Sequence, residues 1–129
     1  MPGTPLEEWV EKAEGDVATA ARESAVLDRP NWDAACFHAQ QAVEKYLKAL
    51  LVREGIPFPK AHDLSMLLGL AVARHPELHV ELADVNWLTF SAVEVRYPGG
   101  ASTRADALRA VQIMGRWRQR LRALLGLPA

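Results

Sequence analysis

Hydrophobic positions recur at helical intervals along most of the chain, and prolines, glycines and capping residues divide them into blocks. The clearest block runs from Asn31 to Gly55. Asn31, directly after Pro30, predicts an N-cap. Gly55 stands where a left-handed C-cap residue is wanted, and Pro57 prevents continuation. Between them, Trp32, Ala35, Cys36, Ala39, Val43, Tyr46, Leu47 and Leu50 make a broad apolar face. His38, Gln41, Lys45 and Lys48, spaced three or four apart, line a polar stripe on the opposite side. A long helix with such an apolar face must be covered by others.

The remaining blocks supply them. Pro5 opens a first helix to about Leu27, with Leu6, Trp9, Val10, Ala13, Val17, Ala20, Ser24 and Leu27 on one face. Glu7 and Glu8 in its first turn suit the macrodipole. Asp63 predicts the N-cap of a third helix bearing Leu64, Leu67, Leu68 and Ala71. A fourth helix, opened by Pro76, is expected from about Glu77 to Tyr97, with Leu78, Leu82, Val85, Leu88, Ala92 and Val95 on one side. Trp87, Phe90 and Tyr97 form a second apolar strip, which predicts a subunit contact; Pro98-Gly99-Gly100 stops the helix. Thr103 and Asp106 predict a capped last helix whose core face is Leu108, Val111, Met114, Trp117, Leu121 and Leu124. Arg104, Arg109, Arg116, Arg118, Arg120 and Arg122 are expected to form its solvated side. No strand-like alternation of useful length appears. The expected fold class is all-α, an antiparallel bundle of four to five helices forming one domain over residues 1–129.

Composition removes several function classes. The formal net charge of −1 gives no global pull toward nucleic acid or membrane. No apolar run reaches the length of a membrane span, and the acidic N-terminal stretch lacks a signal-peptide core, so a cytoplasmic location is expected. Cys36, the single cysteine, reads as a buried inert thiol. No Glu precedes a His by three residues, which excludes a ferritin-like di-iron site. His75 and His79 are separated by Pro76 at a helix boundary, so no metal site is expected there, and no cofactor motif is present. Two readings of the polar stripe stay open: a solvated face, or the wall of a groove in which Lys45 and Lys48 meet phosphate and His38 and Gln41 hydrogen-bond a base. Arg96 likewise either completes the fourth helix's dipole or grips an anion with its planar fork.

Three segments carry a resemblance: FHAQQAVEKYLKALL (Phe37–Leu51), AHDLSMLL (Ala61–Leu68) and VRYP (Val95–Pro98). In this order and at these intervals they resemble the HEPN family. That resemblance implies an all-α homodimer, often encoded beside a minimal nucleotidyltransferase in a toxin–antitoxin module, acting as a metal-independent ribonuclease or binding nucleotide. Family nucleases carry an Arg followed, after four to six residues, by His. Arg96 matches that Arg, but Ala101, Ser102 and Thr103 stand where the His would fall. Arg74 and His79 repeat the spacing ahead of the fourth helix, a position that differs from the family's. The resemblance therefore points to a site for nucleotide or RNA built from His38, Gln41, Lys45, Lys48, His62, Asp63, Arg96 and Tyr97. His38 or His62 would have to replace the missing base if the chain cleaves RNA. The alternative is a non-enzymatic partner of a nucleotidyltransferase, with Trp87, Phe90 and Tyr97 as contact surface.

Overall fold

The computed structural model describes residues 5–94 and 101–129; Arg96 and Tyr97, with Val95 and the Pro98-Gly99-Gly100 stop, lie outside the described residues. The helices are α1 (Pro5–Ala25), α2 (Trp32–Arg53), α3 (Leu64–Val72), α4 (Leu82–Glu94) and α5 (Arg104–Leu124), with a 3₁₀ turn at Pro76–His79. No strand occurs among the described residues.

Local chemistry sets most of the ends. The Asn31 side chain accepts a hydrogen bond from the Ala34 amide at 2.9 Å, satisfying one of the free donors of the first turn of α2. At the other end Gly55 has φ +68°, so the Ile56 and Gly55 amides reach back to the Leu51 and Val52 carbonyls, a Schellman closure. Gly126, with φ +72°, closes α5 in the same way through Leu127 and Arg122. Asp63 caps α3 by accepting from the Ser65 amide at 2.9 Å. Thr103 and Asp106 form a reciprocal capping box at the start of α5.

Helix α2 is the axis of the bundle and packs against α1, α3, α4 and α5. Tyr46, Leu47, Leu50 and Leu51 are buried there with Trp117 and Leu121 of α5, Leu64 and Leu67 of α3, and Val85 and Leu88 of α4. Cys36 is fully buried and unpaired. Ala13 and Ala20, fully buried on α1, let its backbone come close to α2. The two helices are antiparallel, because Asp16 meets both His38 and Lys45 while Glu14 meets Tyr46. α5 runs alongside α2 in the same direction: Ser102 bonds Asp33 near their starts, and Arg53 bonds the Leu124 carbonyl near their ends.

Arg109, Arg116, Arg118, Arg120 and Arg122 of α5 are tied to carboxylates rather than left as a solvated side, and Arg104 alone of the six is exposed without an ion pair among the described residues. Arg118 grips Glu14 with two bonds, at 2.8 and 3.0 Å. The Tyr46 hydroxyl donates to the same carboxylate and accepts from Arg122 at 2.9 Å, so α1, α2 and α5 share one network. The Arg118 fork holds the Glu14 carboxyl below its ordinary range. Burial, followed by the bond to Glu14, pushes the Tyr46 hydroxyl up.

The fold departs from the sequence-based expectation in three places. α1 ends at Ala25, and Leu27 is exposed rather than core, because Arg29 turns the chain in the left-handed region with φ 54°. The expected fourth helix is broken: the 3₁₀ turn ends at His79, Val80 is extended, and Glu81 takes φ 60° before α4 begins. Glu81 is held in that conformation by Arg120 at 2.7 Å and Arg116 at 3.4 Å, a tertiary pairing that local propensity cannot encode. The core face of α5 is Ala107, Ala110, Ile113, Met114, Trp117 and Leu121, and Leu108 is exposed.

The Arg120 hydrogen bond lowers the Glu81 carboxyl from 4.5 to about 2. A depressed carboxyl stabilises the fold fully above its unfolded value and loses that contribution as pH falls toward the folded value. Denaturation of Glu81→Gln and the parent chain should therefore give a stability gap at pH 7 that narrows as pH falls from 4.5 to about 2. A gap independent of pH would assign the difference to backbone strain at residue 81 instead.

Candidate functional site

The four polar residues read from α2 do not form a fully solvated stripe. α1 and the α2–α3 connection cover them, and Gln41 and Lys48 are buried. Each of the four is drawn into one of two side-chain clusters built around a carboxylate.

The first cluster centres on Asp16 of α1, itself buried. Its Oδ1 lies 2.7 Å from His38 Nδ1, and its Oδ2 accepts from Lys45 Nζ at 2.5 Å. The His38 and Lys45 side chains keep 32% and 22% of their exposure, so both are reachable from outside. A carboxylate only accepts, which fixes the neutral imidazole with its proton on Nδ1. Nε2 makes no hydrogen bond among the described residues and keeps its lone pair.

The second cluster centres on Glu44, whose side chain is 2% exposed. Lys48 Nζ donates to Oε2 at 3.2 Å, and His62 Nδ1 lies 3.0 and 3.2 Å from the two oxygens. Lys48 also sits over the rings of Trp9 and Phe58, 5.2 and 5.9 Å from their centroids, which offsets part of its desolvation. Gln40 donates to the His62 carbonyl at 3.1 Å and accepts from Gln41 at 2.7 Å. The connection entering α3 is thus clamped to α2, while the His62 side chain stays 66% exposed. Asp63 has its capping role and no other side-chain partner among the described residues.

Sequence reasoning found the imidazoles and lysines but missed Asp16, Gln40 and Glu44, the groups that organise them. One signal existed for the second cluster: Gln40, Glu44 and Lys48 repeat at four-residue spacing on one helix. No comparable signal existed for Asp16, which lies on another helix. The position expected to carry His is structural in this chain: the Ser102 amide bonds Asp33 at 2.7 Å, and Thr103 caps α5. Asp33 and His38 lie about 140° apart around α2, so within one protomer His38 faces α1 and not the Ser102 segment. Arg74 and His79, the second sequence match, stay apart from both clusters: Arg74 is 3.8 Å from Glu54, while His79 lines a groove with Ser65 and Asn86. His75 bonds Glu54 at 2.8 Å, and the described residues hold no group of side chains able to bind a metal ion.

The strip expected on α4 is divided. Phe90 is 60% exposed and Val93 41%, but Trp87 is half-buried with the Arg109 guanidinium 4.1 Å over its ring. No helix of the described residues is long and apolar enough to cross a membrane.

The HEPN domain family model matches residues 6–124. A solved structure, an archaeal HEPN homologue, superposes with a TM-score of 0.67 at 24% identity, covering 94% of this chain and 98% of the other. No curated protein matches the chain in sequence. The chain belongs to the HEPN domain family, and its fold, five α-helices among the described residues, matches that of the archaeal homologue.

Glu44 dictates a stability test of the second cluster. Removing the ammonium leaves a buried carboxylate facing only the His62 imidazole and, at 3.5 Å, the Gln40 amide. Lys48→Ala should cost about 3 kcal/mol in urea unfolding. Glu44→Gln combined with Lys48→Met should cost clearly less, because it removes both charges. Equal losses would mean that packing on Trp9 and Phe58, not charge, sets the role of Lys48.

Proposed function

We propose that this HEPN protein binds RNA or nucleotide phosphate through the margin of α2, as a homodimer and as the partner of a minimal nucleotidyltransferase in a cytoplasmic toxin–antitoxin type module. One observation carries this reading: two imidazoles have Nδ1 fixed by a carboxylate that also holds a lysine, and their Nε2 makes no hydrogen bond among the described residues. Such an imidazole offers a directed acceptor to a ribose hydroxyl and, once protonated, a cation to a phosphate. With neutral imidazoles each cluster is electrically balanced, one carboxylate against one lysine. Strong phosphate binding therefore needs a further cation. Arg96 fills that role in the proposed site, with Tyr97, Gln41 and Asp63 completing it.

Binding rather than cleavage is favoured because Ser102 and Thr103 serve the start of α5 where the family nucleases have a base. Metal-independent ribonuclease activity, with His38 or His62 taking the 2′-hydroxyl proton, is the competing reading. Structured RNA in excess EDTA separates the two. The proposal expects binding that weakens with salt, as phosphate contacts require, at least tenfold weaker binding by Arg96→Ala, and no cleavage above a mock preparation. Absence of binding at low salt would overturn it. Cleavage lost in both Arg96→Ala and His38→Ala would replace it with the nuclease reading.

Exposure of Phe90 and Val93, one turn apart on α4, favours a protein contact on that face. Sedimentation of the same samples should show Phe90→Glu as a monomer and the parent chain as a dimer. A dimeric Phe90→Glu would move the seam elsewhere.

A further inference from the structure

Where the end of α1, the start of α2 and the start of α5 meet, the bundle leaves a cavity of about 350 Å³. That size falls within the range of small-ligand sites. The cavity opens to solvent and is lined by Leu27, Pro30, Trp32 and Leu108 together with Ser24 and Arg104, of which Leu27 and Arg104 are exposed. Neither α2 cluster contributes to it.

Arg104 is the informative residue. It is the first residue of α5, where the macrodipole disfavours a cation, so helix stability does not explain its charge. It makes no ion pair or hydrogen bond among the described residues, unlike Arg109, Arg116, Arg118, Arg120 and Arg122 of the same helix. The cavity has no carboxylate in its lining to balance it. The start of α5 is already closed by the Thr103–Asp106 capping box, so what Arg104 offers an anion is its own exposed, unpaired guanidinium, whose planar fork matches phosphate oxygens. Trp32 adds a half-buried indole to the same space, next to Pro30 and the 95%-exposed Leu27. An aromatic wall and one unpaired cation fit a flat heteroaromatic base attached to a phosphate.

We propose that the cavity between Trp32 and Arg104 is a nucleotide subsite, the base lying against Trp32 and the apolar walls and the phosphate held by Arg104. The proposal rests on the RNA-or-nucleotide reading above and adds a contact point at the α1–α2 turn, away from the imidazole clusters. The same chemistry is presented by a free mononucleotide and by one residue of an RNA strand.

The test is fluorescence anisotropy of a labelled single-stranded oligoribonucleotide with the full chain, Arg104→Ala, Arg104→Lys and Trp32→Leu, with adenosine monophosphate as competitor. Arg104→Ala removes no hydrogen bond or ion pair among the described residues, so its thermal melt should match the parent chain and any loss can be read as binding. Affinity should fall about tenfold in Arg104→Ala, less in Arg104→Lys, and at least fivefold in Trp32→Leu. Competition by the monophosphate would identify the free nucleotide as a sufficient ligand, whereas binding of the oligomer alone would identify the strand. Parent and Arg104→Ala binding RNA equally would overturn the subsite and leave the wider reading standing. No binding of either ligand by the parent chain would overturn both.

Discussion

Helix α2 is buried along most of its length, yet it carries charged and amide side chains at His38, Gln40, Gln41, Glu44, Lys45 and Lys48. A buried polar group without a partner costs on the order of 1–3 kcal/mol, and a lone charge costs more. The neighbours of α2 must therefore bring matching groups to defined positions. Asp16 comes from α1, the His62 imidazole and carbonyl come from the α2–α3 connection, and Glu44 is met by Lys48 from its own helix. Apolar packing holds the bundle together without fixing how far one helix slides along another. These pairings specify the register of α1 on α2 and where the chain enters α3.

The same requirement joins fold to site. Asp16 and Glu44 are structural because each balances a lysine, and they are chemically consequential because each orients an imidazole. A histidine on a solvated helix would turn freely and present either nitrogen. In this bundle the carboxylates select one tautomer and leave the other nitrogen as an acceptor. The arrangement resembles the base-orienting half of a hydrolytic triad, without a nucleophile placed beside it among the described residues.

What the sequence made legible follows from the range of each interaction. Asn31, Gly55, Asp63 and Thr103 act within three or four residues of themselves, and the structure places each where local chemistry puts it. The break before α4 was illegible because Glu81 is held by Arg116 and Arg120, more than thirty residues away. Periodicity identified the polar side of α2 but not what covers it, since a stripe facing α1 has the same spacing as one facing water. Leu108 and Ala107 carry a similar lesson: hydrophobicity favoured the leucine as core, but close helix approach buried the alanine. Of the candidate site, the imidazoles and lysines were readable as residue types, whereas Asp16 became evident only once α1 lay against α2.

Buried carboxylates fix the His38 and His62 imidazoles with the proton of the neutral ring on Nδ1, and Nε2 has no hydrogen-bond partner among the described residues. Long-range proton–nitrogen NMR on imidazole-labelled protein reads that tautomer directly at a pH where the rings are neutral. Both histidines should be in the Nδ1–H form, with His38 changing to the ordinary Nε2–H form in Asp16→Ala and His62 in Glu44→Gln. Nε2–H signals for both rings in the parent chain would contradict this assignment, and would leave the two clusters without a directed acceptor for RNA.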